Sequence, residues 1–205
     1  MKLLFALFTA LSFVAAPALA EDTSPDTLVK NVTGEVLDIL RKDKDIQNGN
    51  ARKAAELVET KVLPHFNFQR MTAQAVGKDW RQATPAQQKL LTEEFRTLLV
   101  RTYSNALTTY RNQTVDFKPT KVAAADTDVT VRTEVRQPGA ATVKIDYLLE
   151  KGSTGWKVYD VVIADVSLVV SYRDQFRQEV SNGGLDGLIK SLQTKNKSGE
   201  ATTRK

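Results

Sequence analysis

The chain of 205 residues has no cysteine and a single histidine, His65. Without thiols there are no disulfide staples, CxxC redox pairs, iron-sulfur clusters, thiolate zinc sites or Cys nucleophiles. With one imidazole, a zinc site of His and carboxylates, or a Ser/His/Asp triad, would have to be built around His65 itself. Proline and glycine are sparse, at 6 and 10, which excludes a collagen-like repeat, and an apolar share of 41% excludes a chain disordered throughout. No basic run is interleaved with aromatics, so the formal net charge of +5 fits docking on anionic lipid or an acidic partner better than nucleic-acid binding. The length is that of one domain with one sizeable core.

Long apolar runs are confined to the start of the chain. Lys2 precedes an apolar stretch over 3–16, and Ala18, Leu19 and Ala20 give the small-x-small pattern that signal peptidases accept. The stretch falls short of the roughly 20 apolar residues that span a bilayer. Residues 1–20 are therefore expected to be a signal peptide cleaved before Glu21. No cysteine follows that could carry a lipid anchor, and the mature chain is expected to be exported.

The mature part begins with helical periodicity. Ser24, Pro25 and Asp26 form a start signal: a capping hydroxyl, a ring that presets φ, and an acid near the positive end of the helix dipole. Apolar positions from Leu28 to Leu40 recur at helical spacing. A second helix is expected over 51–62, ended by Pro64, and a short one carries Phe68, Met71, Ala75 and Val76 up to Gly77. Thr84, Pro85 and Gln87 resemble a capping box opening the longest helix, 85–110. Its apolar residues, among them Leu91, Phe95, Leu99, Tyr103, Leu107 and Tyr110, fill an arc of about 200°, against about 100° for a helix covered on one side. This helix is expected to be covered on two sides.

From Thr114 the period becomes two. Val129, Val131, Thr133 and Val135 alternate with polar residues, as do Val143, Ile145 and Tyr147, and the turn Gln137-Pro138-Gly139 joins the two runs. With short strands at 114–118 and 156–163 the expected sheet has four antiparallel strands, giving an α+β fold with the helices gathered against one sheet. The last strand, with Val158, Tyr159, Val161, Val162 and Ile163, is apolar on both faces and is expected to be the most enclosed. Helical spacing returns from Val166 to Val180. A last short helix is expected over 185–195, with a flexible tail over 195–205.

Several stretches carry a family likeness: VLPHFNFQRM at 62–71, GKDWR at 77–81, TPAQ at 84–87, FRTLLVRTYSNAL at 95–107, WKVYDVVIADVSLVVSYRDQF at 156–176 and GGLDGLIKSL at 183–192. In these the chain resembles the MlaC family, also known as toluene-tolerance auxiliary proteins, over nearly all of its mature length. One departure is Ala164-Asp165, where a Glu-Gly or similar turn would be expected. The resemblance implies a curled, NTF2-like sheet with a helical subdomain, in a single domain over 21–194. It also implies a monomeric periplasmic carrier of diacyl phospholipid with no cofactor and no enzymatic activity. Its partners would be an outer-membrane MlaA-type lipoprotein complex and an inner-membrane ABC transporter containing an MCE-domain protein, and its role the maintenance of outer-membrane lipid asymmetry.

A carrier needs a dry hollow with a polar mouth. The residues expected to wall it, between the concave sheet face and the helices, are Met71, Tyr103, Leu107 and Tyr110 from the helices, Val131, Ile145 and Tyr147 from the sheet, and Val166, Val169 and Val170 after it. Arg173 and Arg177 fall inside the apolar arc of their helix and are candidates for contact with a lipid phosphate. Two readings compete: an NTF2-like enzyme using Asp160 and His65 as acid or base, and a periplasmic holdase whose groove takes protein segments. For both residues a structural role is the plainer expectation.

Overall fold

The computed structural model describes residues 23–203, so the segment read as a signal peptide lies outside the described residues. The first helix, α1 (Pro25–Lys42), starts where expected, with Ser24 in the extended cap conformation. The Ser24 hydroxyl donates to Thr27 Oγ1 at 2.8 Å rather than accepting from the helix. Asp43 caps the single turn α2 (Lys44–Gln47), accepting from the amides of Asp45 and Ile46, and Asn50 caps α3 (Ala51–Leu57). α3 continues as one π-helical stretch, Val58–Val62, and a 3-10 turn holding Pro64, before the chain extends at Phe66.

α4 (Phe68–Val76) is capped by Asn67 and ends at Gly77, whose φ of 72° a side chain would strain. Thr84 and Gln87 form the full capping box of α5 (Pro85–Ser104), which tightens into a 3-10 continuation, Asn105–Thr109. One side of α5 (Leu91, Phe95, Leu99) packs against α4 and the C-terminal helix, while Leu107 and Tyr110 pack against the core of α1 to α3. The two-sided arc of this helix thus serves two different protein cores.

The sheet is an antiparallel meander of β1 (Thr114–Phe117), β2 (Asp128–Arg136), β3 (Val143–Gly152), β4 (Gly155–Ile163) and β5 (Val166–Ser167), in that spatial order. Four of these were expected. The fifth exists because Ala164 (φ 48°) and Asp165 (φ 65°) both take left-handed backbone. Two such residues in a row make the turn whose twist suits a hairpin, and Val166 and Ser167 fold back to pair with Ile163 and Val162.

β4 reads in sequence as apolar on both faces because it carries a bulge, and the bulge gathers Trp156, Val158, Val161 and Ile163 onto one face. Leu148 pairs with Asp160 but Leu149 with Val158, so Tyr159 is an extra residue and the alternation shifts by one. Val161 and Ile163 consequently share the face of Tyr147 and Ile145, while Asp160 moves to the other face. There Asp160 accepts from Val161 N (2.8 Å), Ser167 Oγ (2.5 Å) and Val169 N (3.2 Å). This buried carboxylate ties β4 and β5 to the first turn of α6 (Leu168–Thr203).

α6 breaks at Gly184, where φ is 67° and ψ −169°. The tail expected over 195–205 is corrected over its described part: the helix runs on to Thr203. Asn196 is buried and its amide donates to both the carbonyl and the carboxylate of Glu94 on α5, which anchors a segment that has no apolar period to reveal it.

Arg70 on α4 joins helices to sheet. Its guanidinium donates to Glu150 on β3 and, at 2.8 Å, to Asp128 on β2, and it lies 3.5 Å over the ring of Tyr159. Asn67 donates to the same Glu150 at 2.6 Å. Replacing Arg70 by Ala removes two charge-assisted bonds and a cation-π contact at a partly exposed site. The expected loss is about 1–3 kcal/mol of unfolding free energy. It would be read as a lower denaturant midpoint at unchanged slope, and an unchanged midpoint would refute the clamp.

Candidate functional site

The apolar positions of α1 form one stripe, and Val29 packs against Val129 and Val131 on the sheet. Further along, the helix and the sheet do not close on each other. Between them lies a hollow of about 360 Å³. α1 contributes Leu28, Val32, Val36 and Leu40; the end of the α5 continuation contributes Leu107 and Tyr110; the sheet contributes Val115, Val135, Ile145, Tyr147 and Val158. Val62, His65 and Phe66 close one side. Nearly all of these side chains are hydrocarbon, the lining that suits an apolar ligand.

The few polar groups of the wall are held by the protein itself. Tyr110 accepts from Arg41 Nε at 3.2 Å through its phenol oxygen and donates to the Gln113 carbonyl at 3.4 Å. Burial drives the Tyr147 phenol above its ordinary pKa, with a bond to Thr133 acting the other way. Tyr147 is packed round by protein and still keeps accessible surface, because that surface borders the hollow. His65 sits below its usual range, first from burial and then from the Lys157 ammonium, with Glu35 opposing. Lys157 is fixed beside it by donating to the Pro64 carbonyl at 2.6 Å.

The twelve residues singled out from sequence do not share one wall. Leu107, Tyr110, Ile145 and Tyr147 border the hollow. Met71 and Val169 are buried in a separate core of α4, α5 and α6, and Val131 lies buried in the sheet core. Val166 and Val170 are exposed, at 60% and 53%, and Tyr103 at 39%. Desolvation and then neighbouring Tyr172 push the Tyr103 phenol up to about 12.

Arg173 donates to the Gln74 carbonyl and Arg177 pairs with Asp174, both away from the hollow. The reason is common to these departures: α6 turns its apolar arc onto α4 and α5 rather than onto the concave sheet face. Asp160 and His65 are likewise not brought together, since the β4 bulge carries Asp160 off the face that His65 borders.

Sequence reasoning missed α1 as a wall of the hollow. The signal was present in its stripe of Leu28, Val32, Val36 and Leu40, which was read only as evidence of a helix. No group of three or more His, Asp or Glu placed to hold a metal lies among the described residues. No helix among them is long and apolar enough to cross a membrane.

Fold and site together define an α+β protein with an apolar hollow between a curled antiparallel sheet and a covering helix. Residues 30–194 match the profile of the MlaC protein family. The chain belongs to the MlaC family. A solved structure described as the phospholipid-binding protein from Ralstonia solanacearum in complex with a phospholipid aligns with a TM-score of 0.79 and 41% identity, covering 85% of this chain and 98% of that one. The intermembrane phospholipid transport system binding protein MlaC of Haemophilus influenzae is 24% identical over 194 residues, 91% of each chain. The toluene tolerance protein ttg2D of Pseudomonas putida is 26% identical over 164 residues, covering 80% of this chain and 76% of that one.

His65 gives the wall a measurable signature. With its folded pKa below the ordinary 6.5, the unfolded chain takes up the proton more readily. The stability His65 contributes as a neutral ring is therefore lost as pH falls from the unfolded value through the folded one. A ring-proton NMR titration is expected to show a midpoint below 6.5, and His65→Gln to flatten the fall in stability over that window; a midpoint at or above 6.5 would contradict this placement.

Proposed function

We propose that the chain carries a diacyl phospholipid with its acyl tails in the hollow between α1 and the sheet, as a periplasmic shuttle between the outer and inner membranes. Its alternating partners would be an outer-membrane MlaA-type lipoprotein complex and an inner-membrane ABC transporter with an MCE-domain protein, and the outcome the upkeep of outer-membrane lipid asymmetry. The observation that carries the reading is the hollow itself: about 360 Å³ lined almost wholly by hydrocarbon, beside a core of α4, α5 and α6 that shares none of its lining but Phe66. The phospholipid named with the Ralstonia relative supports the choice of ligand.

The energetics favour exchange over release. Two acyl chains hold on the order of thirty methylenes, and at ~0.8 kcal/mol each their return to water costs ~24 kcal/mol. A bilayer recovers nearly the same energy, so a hollow of this kind trades lipid with membranes and membrane complexes at small net cost, and the partners set the direction. Its volume lies at the lower end of the usual range for ligand pockets, so full-length tails require α1 and the sheet to stand further apart. Carriage calls for no nucleophile, and Asp160, the buried acid of an enzymatic reading, is engaged by Ser167 and two backbone amides.

Native mass spectrometry of freshly purified protein is expected to show a mass excess that solvent extraction resolves into glycerophospholipid. Val32→Trp, which fills the hollow from α1, is expected to lower bound lipid by at least about tenfold, the equivalent of 1.4 kcal/mol. Val166→Glu, outside the hollow, should retain its lipid. Wild-type protein without lipid, or a Val32→Trp variant loaded as fully as wild type, would overturn the proposal.

A further inference from the structure

A second recess opens beside the apolar hollow, of about 480 Å³, between α1 and the edge strand β1. Thr33, Leu37 and Val115 border both, so the two spaces are contiguous. The lining changes character across that border, because the outer recess adds Lys30, Asn31, Arg41 and Thr114. Lys30, Gly34, Leu37 and Arg41 recur every three or four residues, which sets them on one stripe of α1 beside its apolar stripe.

Both cations have donors to spare. No carboxylate among the described residues pairs with Lys30. Arg41 donates through Nε to Tyr110 and through Nη1 to Asp38, and its Nη2 is bonded to neither. β1 adds backbone donors. Lys118 N donates across to Arg132 on β2 at 3.0 Å, and strand alternation turns the amides of Val115 and Phe117 the other way, toward the recess.

Gly34 shapes the floor of the recess on α1. A glycine inside a helix costs about 1 kcal/mol relative to alanine, and packing does not require this one: an added Cβ would meet nothing within 4 Å. Its φ is not in the left-handed region that would demand glycine. What the missing side chain does is keep the recess open between two cations.

We propose that this recess receives the phosphate of the carried lipid, held by the Lys30 ammonium, the Arg41 guanidinium and the outward amides of β1, while the tails pass Thr33, Leu37 and Val115 into the hollow. The inference rests on the carrier reading above. It replaces Arg173 and Arg177 as head-group contacts with residues that border the hollow's mouth. Asp38 is paired with Arg41, and Asp116, between Val115 and Phe117 on β1, is paired with Arg136. They temper the positive charge and favour a phosphate monoanion over a more highly charged group.

The test compares phosphatidylglycerol with diacylglycerol of the same chains, each titrated into delipidated protein. Wild type is expected to hold the phospholipid at least about tenfold tighter, as loss of a charge-assisted bond would give. In Lys30→Gln/Arg41→Gln the ratio should close to near unity. Gly34→Leu should close it too, while its thermal midpoint holds or rises, an outcome that structural damage would not produce.

A ratio that survives in both variants overturns the phosphate site and leaves carriage standing, as does a wild type that binds both lipids equally. A wild type that binds neither brings down carriage and phosphate site together. If inorganic phosphate alone shifts the amide signals of Asn31, Gly34 and Val115 and phosphatidylglycerol does not, the recess takes free anion and the proposal fails.

Discussion

An apolar sheet face in water must be covered, and in this protein the cover is one helix that touches the sheet without filling it. Val29 packs on the valines of β2, while along the rest of α1 the side chains of helix and sheet face each other across a gap. Exposed hydrocarbon costs about 25 cal/mol per Å², a cost that an apolar guest in the gap would offset. The remaining elements hold that geometry. Arg70 and Asn67 fasten α4 to the acids of β2 and β3, and Asp160 fastens the turn after β4 to the start of α6.

Two cores do the work of stability, leaving the third region free to be hollow. α4, α5 and α6 pack Phe95 edge-on against Phe176 and Tyr172, and α1, α2 and α3 close around Ile46, Ala54 and Leu57. Burial by itself is therefore a poor guide to the ligand. Met71 and Val169, both 1% exposed, belong to the packed helical core, whereas Ile145 and Tyr147 keep some accessible surface because they border the space a guest would fill. Partial exposure of a large apolar side chain on a concave face is the better mark of a cavity wall.

How much of the site could be read beforehand follows from the range of each signal. Leu107, Tyr110, Ile145 and Tyr147 border the hollow, and periodicity could single them out because it says which side of an element is apolar. Val166, Val170, Arg173 and Arg177 lie away from it, because periodicity does not say what an apolar side meets. α6 has apolar residues that recur at helical spacing too, but they lie on two other helices. Arg41 and Lys30 drew no attention, since a cation on an exposed helix stripe looks the same whether it faces water or a recess beside a strand edge.

The amino-acid order alone determined the element types, the start of α5 at its capping box, the antiparallel pairing of the alternating strands and the absence of thiol chemistry. These follow from contacts among near neighbours in the chain. Only the tertiary structure decided which helix covers the sheet, that a single bulge at Tyr159 turns Asp160 away from His65, and that two left-handed residues at Ala164 and Asp165 add a fifth strand. The first is settled by packing between segments far apart in sequence, where many faces are apolar enough to pair and shape selects among them; the bulge and the turn are settled by strand register, which periodicity alone does not give.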